Sequence, residues 1–185
     1  MIYIPASELP NPVAHYTPFY GTLGAVDRRL IVIHYAVSDP GNALPLARYC
    51  HTNRKGLRWH SSVGSDGSRY RCGHWYEIGA HDAGINTRSV GIECTASSGT
   101  EMRQYPKLMN AMAAEVVAIC DFWKRVPSRD FIIGHYEDEK FGGTSTHQDP
   151  MPGWDWAEFM ELVELHYAAS IPSKGGDDSW LVLTM

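Results

Sequence analysis

Two short apolar runs, Leu30-Ile31-Val32-Ile33 and Phe131-Ile132-Ile133, lead directly into histidines, His34 and His135. Continuous apolar runs of this length fit buried central strands of a sheet. A third run, Val90-Gly91-Ile92, ends on Glu93-Cys94 and reads as another such strand. After Pro106, the residues Leu108, Met112, Val116, Ile119, Cys120 and Trp123 recur at helical spacing and form one apolar face to pack on the sheet. A last helix is expected from Trp154 to about Tyr167, with Trp156, Phe159, Met160 and Val163 near one face. Asn42 or Ser38 is placed to cap a shorter helix that runs to about Asn53. Ser65-Asp66-Gly67-Ser68 reads as the turn of a hairpin between Trp59–Gly64 and Arg69–Trp75. Strands interleaved with helices predict an α/β fold with a central mixed β-sheet flanked by helices, in a single domain.

The domain is expected over residues 29–169, because both flanks change character. Residues 1–28 are rich in Pro, Tyr and Gly without a sustained period, and predict an irregular lead-in packed on the domain. Residues 170–185, with Pro172-Ser173-Lys174-Gly175-Gly176, read as a linker-like tail of the kind that joins a further module. A net charge of −5 and the lack of any Lys/Arg cluster argue against nucleic acid as a partner. No apolar run is long enough to span a bilayer. The start, MIYIPASELPNP, lacks the basic and apolar regions of a secretory signal, so synthesis and initial residence in a cytoplasm are expected. Cys50, Cys72, Cys94 and Cys120 are widely spaced with no Cys-x-x-Cys pair, which argues against a cysteine zinc knot. Buried free thiols are expected, with a disulfide left open.

The chemistry gathers around the strand ends. A histidine at a strand end and Asp149, on the loop that returns before Trp154-Asp155-Trp156, are ligand types that suit zinc. His34 completes a set of two histidines and one carboxylate, which leaves an open fourth position as in catalytic sites. Taken singly, each histidine also fits a hydrogen-bonded structural role, and Asp138 is a rival ligand close after His135. Glu93 follows an apolar strand, where a poorly solvated carboxylate costs free energy unless it has a partner. It can serve as a proton shuttle beside a metal, or pair with Arg88 or Arg71. His147, two residues before Asp149, can project toward the same place and donate to an oxyanion. His81, in Ala80-His81-Asp82-Ala83-Gly84, can line the groove or serve structure alone.

Six segments occur in a telling order: IVIHYAV around His34, the turn Asp66-Gly67, AHDAG at Ala80–Gly84, NTRSVGIE at Asn86–Glu93, GHYED at Gly134–Asp138 and DPMPGWDW at Asp149–Trp156. The series resembles the zinc-dependent N-acetylmuramoyl-L-alanine amidases of type 2, a family of phage endolysins, cell-wall recycling amidases and peptidoglycan-recognition proteins. The resemblance implies that fold, zinc as cofactor and peptidoglycan (glycan and stem peptide) as partner. It implies hydrolysis of the amide between N-acetylmuramic acid and L-alanine. His34, His135 and Asp149 match the family's zinc ligands, and Glu93 matches the acidic residue that assists the attacking water. His147 stands where many members carry lysine, and Trp59 where some phage members carry tyrosine. Trp59, His81 and Asn86 are expected to contact substrate in the groove. A phage or prophage endolysin acting on the wall after release is the first expectation. A cytoplasmic recycling amidase, a non-catalytic peptidoglycan receptor and a zinc peptidase are the alternatives.

Overall fold

The structure, a computed structural model, describes residues 2–3, 20–25, 27 and 29–171. Its strands are β1 (Ile2–Tyr3), β2 (Tyr20–Thr22), β3 (Leu30–Tyr35), β4 (Ser61–Val63), β5 (Arg69–Arg71), β6 (Glu77–Ile78), β7 (Ser89–Cys94) and β8 (Ile132–Gly134). Its helices are α1 (Leu44–Thr52), α2 (Gly99–Gln104), α3 (Pro106–Trp123) and α4 (Trp156–Ser170). Six strands form one mixed sheet in the order β1-β5-β4-β7-β3-β8, and β2 pairs with β6 in a small antiparallel ladder. The apolar runs are its centre: β3 pairs in parallel with β7 on one side and β8 on the other. Every β3 residue from Leu30 to His34 is buried, as a strand covered on both faces must be.

Register sorts the side chains. Ser61 of β4, Ile92 of β7 and Ile33 of β3 are neighbours across the sheet, and the Ser61 hydroxyl donates to Glu115 of α3 at 2.5 Å. That face therefore carries α3, and α4 packs on α3. The next residues, Ser62, Glu93 and His34, also form a row across the same three strands and point to the opposite face. On that side α1 packs through Leu46, Ala47 and Cys50 against Trp59 and Cys72. All four cysteines are free and buried.

Local chemistry accounts for the departures from expectation. α1 begins after Ala43 rather than after a capping side chain, because Asn42 supplies its carboxamide oxygen to the Leu44 N–H at 2.9 Å instead. α2 escapes the apolar period because it is one and a half turns long; Ser98 caps it by accepting from the Glu101 N–H at 3.1 Å. The hairpin strands are three residues each, shorter than the segments that flank the turn. Of the lead-in, β1 adds to the sheet beside β5; most of residues 1–28, and of the linker-like 170–185, lie outside the described residues.

The α3–α4 layer closes over Phe159, which is fully buried and lies 5.1 Å from the Trp154 ring and 6.1 Å from the Trp156 ring. Phe159→Ala is expected to cost about 3–5 kcal/mol by cavity formation. Urea denaturation reads this as a lowered midpoint; an unchanged midpoint would show that the ring contributes nothing to docking of α4.

Candidate metal centre

The carboxyl ends of β3, β7 and β8 open onto a cavity of about 1070 Å³. Ligands bind at this edge of open α/β sheets, where loops rather than packed helices cover the strand ends. β3 delivers His34 there and β7 delivers Glu93, its register partner. β8 ends at Gly134, and the chain turns at once into a 3-10 segment, His135–Phe141. Glu137 fixes that turn by accepting from the Gly134 N–H at 3.1 Å and from Arg129 at 2.7 Å. The returning loop is tied back by the Tyr136 N–H, which donates to the Asp149 carbonyl at 3.1 Å.

Three ligand-type atoms converge. His34 Nδ1 lies 3.0 Å from His135 Nδ1 and 2.9 Å from Asp149 Oδ2, and His135 Nδ1 lies 3.3 Å from that same oxygen. Zinc bonds of about 2.0–2.1 Å in tetrahedral geometry separate ligand atoms by roughly 3.3 Å, so this triangle is of the size that zinc requires. All three side chains are buried. Asp138, the rival from sequence, groups instead with Asp82 and His135, and its Oδ2 accepts from the Ser145 N–H at 2.9 Å.

The electrostatics are those of a crowded, acid-rich pocket. Burial opposes the charged form of His135, but the Asp149 and Asp82 carboxylates outweigh it and push this ring up to about 10. Burial likewise opposes ionisation of Asp149, yet hydrogen bonds from His135 and His34 hold it well below the usual carboxylate range. Burial lowers His34 against the pull of Asp149. Glu93 is raised to about 8, first by burial and then by the Asp149 charge. Among the described residues no ion pair reaches Glu93; Arg71, one expected partner, lies over the Trp75 ring at 3.9 Å.

The other expected residues also line the cavity, in different ways. His147 is largely exposed; it stacks on the His135 ring at 4.8 Å, and its Nδ1 lies 3.6 Å from Asp149 Oδ1. Trp59 is buried and donates to Ser62 Oγ at 2.7 Å. Asn86 accepts from the N–H groups of both His81 and Asp82 at 2.9 Å, bracing their loop. His81 stands behind His34, its Nδ1 3.1 Å from His34 Nε2. Two neighbours went unread in the sequence. Asp82 is buried, with Oδ1 3.4 Å from His135 Nε2; the available signal was an acid beside a histidine in a glycine-ended loop. His60 is fully buried, accepts from the Gly91 N–H at 3.0 Å and is lowered to about 4 by burial.

The sequence model of a family described as N-acetylmuramoyl-L-alanine amidase matches residues 25–152. Solved structures with the same fold include a Staphylococcus aureus hydrolase, AmiA, in complex with its ligand, at 19% identity and a TM-score of 0.67; the match covers 90% of this chain and 81% of that one. The endolysin N-acetylmuramoyl-L-alanine amidase LysCS from Clostridium intestinale is 15% identical with a TM-score of 0.58, over 82% and 91%. The Ph2119 endolysin of a Thermus scotoductus bacteriophage is 18% identical with a TM-score of 0.55, over 81% and 90%. A comparison with curated protein sequences finds no match. Among the described residues no helix is long and apolar enough to cross a membrane.

Glu93 makes the metal-free protein sensitive to pH. Its folded-state value of about 8 lies above the ordinary 4.5, so the folded state holds a proton that the unfolded state releases between these limits. The stability associated with the protonated group is complete below pH 4.5 and is lost as pH rises through about 8. Glu93→Gln is therefore expected to stabilise chelator-stripped protein by an amount that grows from zero to on the order of a few kcal/mol across that window. Thermal melts of both proteins at pH 4.5, 6.5 and 9 check this; a difference that does not vary with pH would refute it.

Proposed function

The chain belongs to the N-acetylmuramoyl-L-alanine amidase family, and we propose that it hydrolyses the amide between N-acetylmuramic acid and the L-alanine of the peptidoglycan stem peptide with zinc. The observation that carries this reading is the convergence of His34, His135 and Asp149 beside the half-buried Glu93. His34, His135 and Asp149 would hold the ion. When bound, zinc supplies Lewis acidity toward the amide carbonyl and the attacking water.

The remaining work falls to side chains. A cation in the site favours the ionised form of Glu93, which takes a proton from the attacking water. The water oxygen bonds to the lactyl carbonyl carbon, the C–N bond breaks, and Glu93 returns the proton to the departing L-alanine nitrogen. His147, at the exposed rim, donates to the oxyanion as it develops. Tyr49 and Leu57, exposed on the cavity wall, offer apolar surface to sugar and peptide, with Trp59 beneath.

Release of the chain as an endolysin that lyses the cell wall is the role we put forward, supported by its likeness to the LysCS and Ph2119 endolysins. A wall-binding module in a longer parent chain fits the composition of residues 170–185.

Digestion of purified peptidoglycan, followed by mass spectrometry, tests the reaction. Free stem peptides beginning in L-alanine are expected, abolished by chelator and restored by zinc. Glu93→Gln is expected to keep its metal and lose about 10²–10⁴-fold in kcat. New reducing ends, or activity indifferent to chelator, would overturn the reading. Intact walls cleared faster than soluble muropeptides are cut would favour the lytic role over recycling, and the reverse order would refute it.

A further inference from the structure

His81 and Asp82 are adjacent in sequence and each faces the outer nitrogen of a different candidate ligand. His81 Nε2 lies 3.3 Å from the Ser89 carbonyl oxygen and 3.3 Å from Ser89 Oγ. The carbonyl accepts only, and the Ser89 hydroxyl hydrogen is committed to the Ile85 carbonyl at 2.8 Å. His81 therefore carries its proton on Nε2. An imidazole that carries its one proton on Nε2 leaves Nδ1 as a bare acceptor. That acceptor lies 3.1 Å from His34 Nε2, which must supply the hydrogen. His34 is left with a lone pair on Nδ1, the atom that meets His135 and Asp149. The second ring is met by an ion-pair contact rather than a hydrogen bond: His135 Nε2 faces the Asp82 carboxylate, which only accepts, at 3.4 Å, and its Nδ1 points inward as well.

We infer that His81 and Asp82 are the positioning residues of the metal centre, each fixing one histidine in the tautomer that turns Nδ1 to the ion. The inference rests on the metal-site reading above. The pair is itself held in place. Asn86 accepts from both backbone N–H groups at 2.9 Å. Gly91 on β7 leaves the room that the imidazole fills, since a Cβ there would stand 2.6 Å from His81 Cγ. Asp82 is 2% exposed and its carboxylate oxygens have no hydrogen-bond partner, so the ion-pair contact with His135 at 3.4 Å is the interaction that answers the cost of burying it.

Zinc affinity, measured on the full chain by competition with a chromophoric chelator and without peptidoglycan, tests this apart from catalysis. Asp82→Ala and His81→Ala are each expected to weaken zinc binding about 10–100-fold. His81→Asn, whose amide oxygen can take the place of Nδ1, and Asp82→Asn, which keeps an acceptor, are expected to recover part of that loss while the alanine variants do not. Long-range nitrogen–proton NMR of zinc-loaded protein should show both histidines protonated on Nε2, with only the His135 pattern disturbed in Asp82→Ala. Wild-type affinity in both alanine variants, with zinc lost in His34→Ala, would overturn this inference and leave the metal centre standing. Zinc retained by His34→Ala would overturn both. A second zinc per chain that disappears in Asp82→Ala would make Asp82 a ligand and also overturn it.

Discussion

A slip of β7 by one residue against β3 would turn Glu93 toward α3 and put Ile92 into the cavity beside His34. The parallel register of these two strands is therefore the constraint on which the site depends. It is enforced from the apolar side, where Ile31, Ile33, Val90 and Ile92 are fully buried under α3 and α4. Burying each such side chain contributes about 1.5–3 kcal/mol, so a slipped register forfeits several of these at once. The same strand thus has two duties at alternate positions, core on one face and chemistry on the other. β8 adds the third element, since pairing of Ile33 with Gly134 sets His135 one step beyond the sheet, close to His34.

Once the register is set, the charge inventory narrows what can occupy the site. Asp149, Asp82, Asp138 and Glu93 gather around His34 and His135 in a space that excludes much of the solvent. Without a cation the protein must respond by holding protons, which is why His135 is driven up to about 10 and Glu93 to about 8. Burial is the leading influence on both groups and acts in opposite senses, against the imidazolium and for the neutral acid. Only at Glu93 does burial prevail; at His135 the carboxylates override it. A divalent ion bound there would answer both demands at once, replacing the protons with a charge that the oxygen and nitrogen atoms can share.

What could be read in the sequence follows the length scale of each signal. His34, Glu93 and His135 were legible because each terminates a continuous apolar run, and such runs predict both the strand and its burial. α3 was legible because eighteen residues give several turns over which an apolar period shows. Asp149 needed the partner histidines to be recognised, since its loop has no period of its own. Asp82 and His60 were not legible. Their contacts are with His135 and the Gly91 N–H, 53 and 31 residues away in the chain, and the one local signal, an acid beside a histidine at Asp82, does not point to such a distant partner. α2 is too short to display a period, although Ser98 and Glu101 carried a capping signature.

The division of labour between strand and loop has a further consequence. His34 sits on a strand paired on both sides, with its outer nitrogen against His81 and its inner one against two ligand-type groups, so its ring has little freedom left. His147 is the opposite case, largely exposed on a loop and held by stacking on His135. The role proposed for it, meeting the charge of a transition state, needs less rigidity than holding a ligand atom in place, because the substrate helps to position it. Substitution at residue 147 is therefore expected to leave the triangle of His34, His135 and Asp149 intact. At residues 34, 91 and 135 the packing permits no comparable freedom: the ring of His81 fills the space that any side chain larger than glycine at residue 91 would need. Variation in such a fold is expected to collect on the loop that carries His147, and the strand ends to resist it.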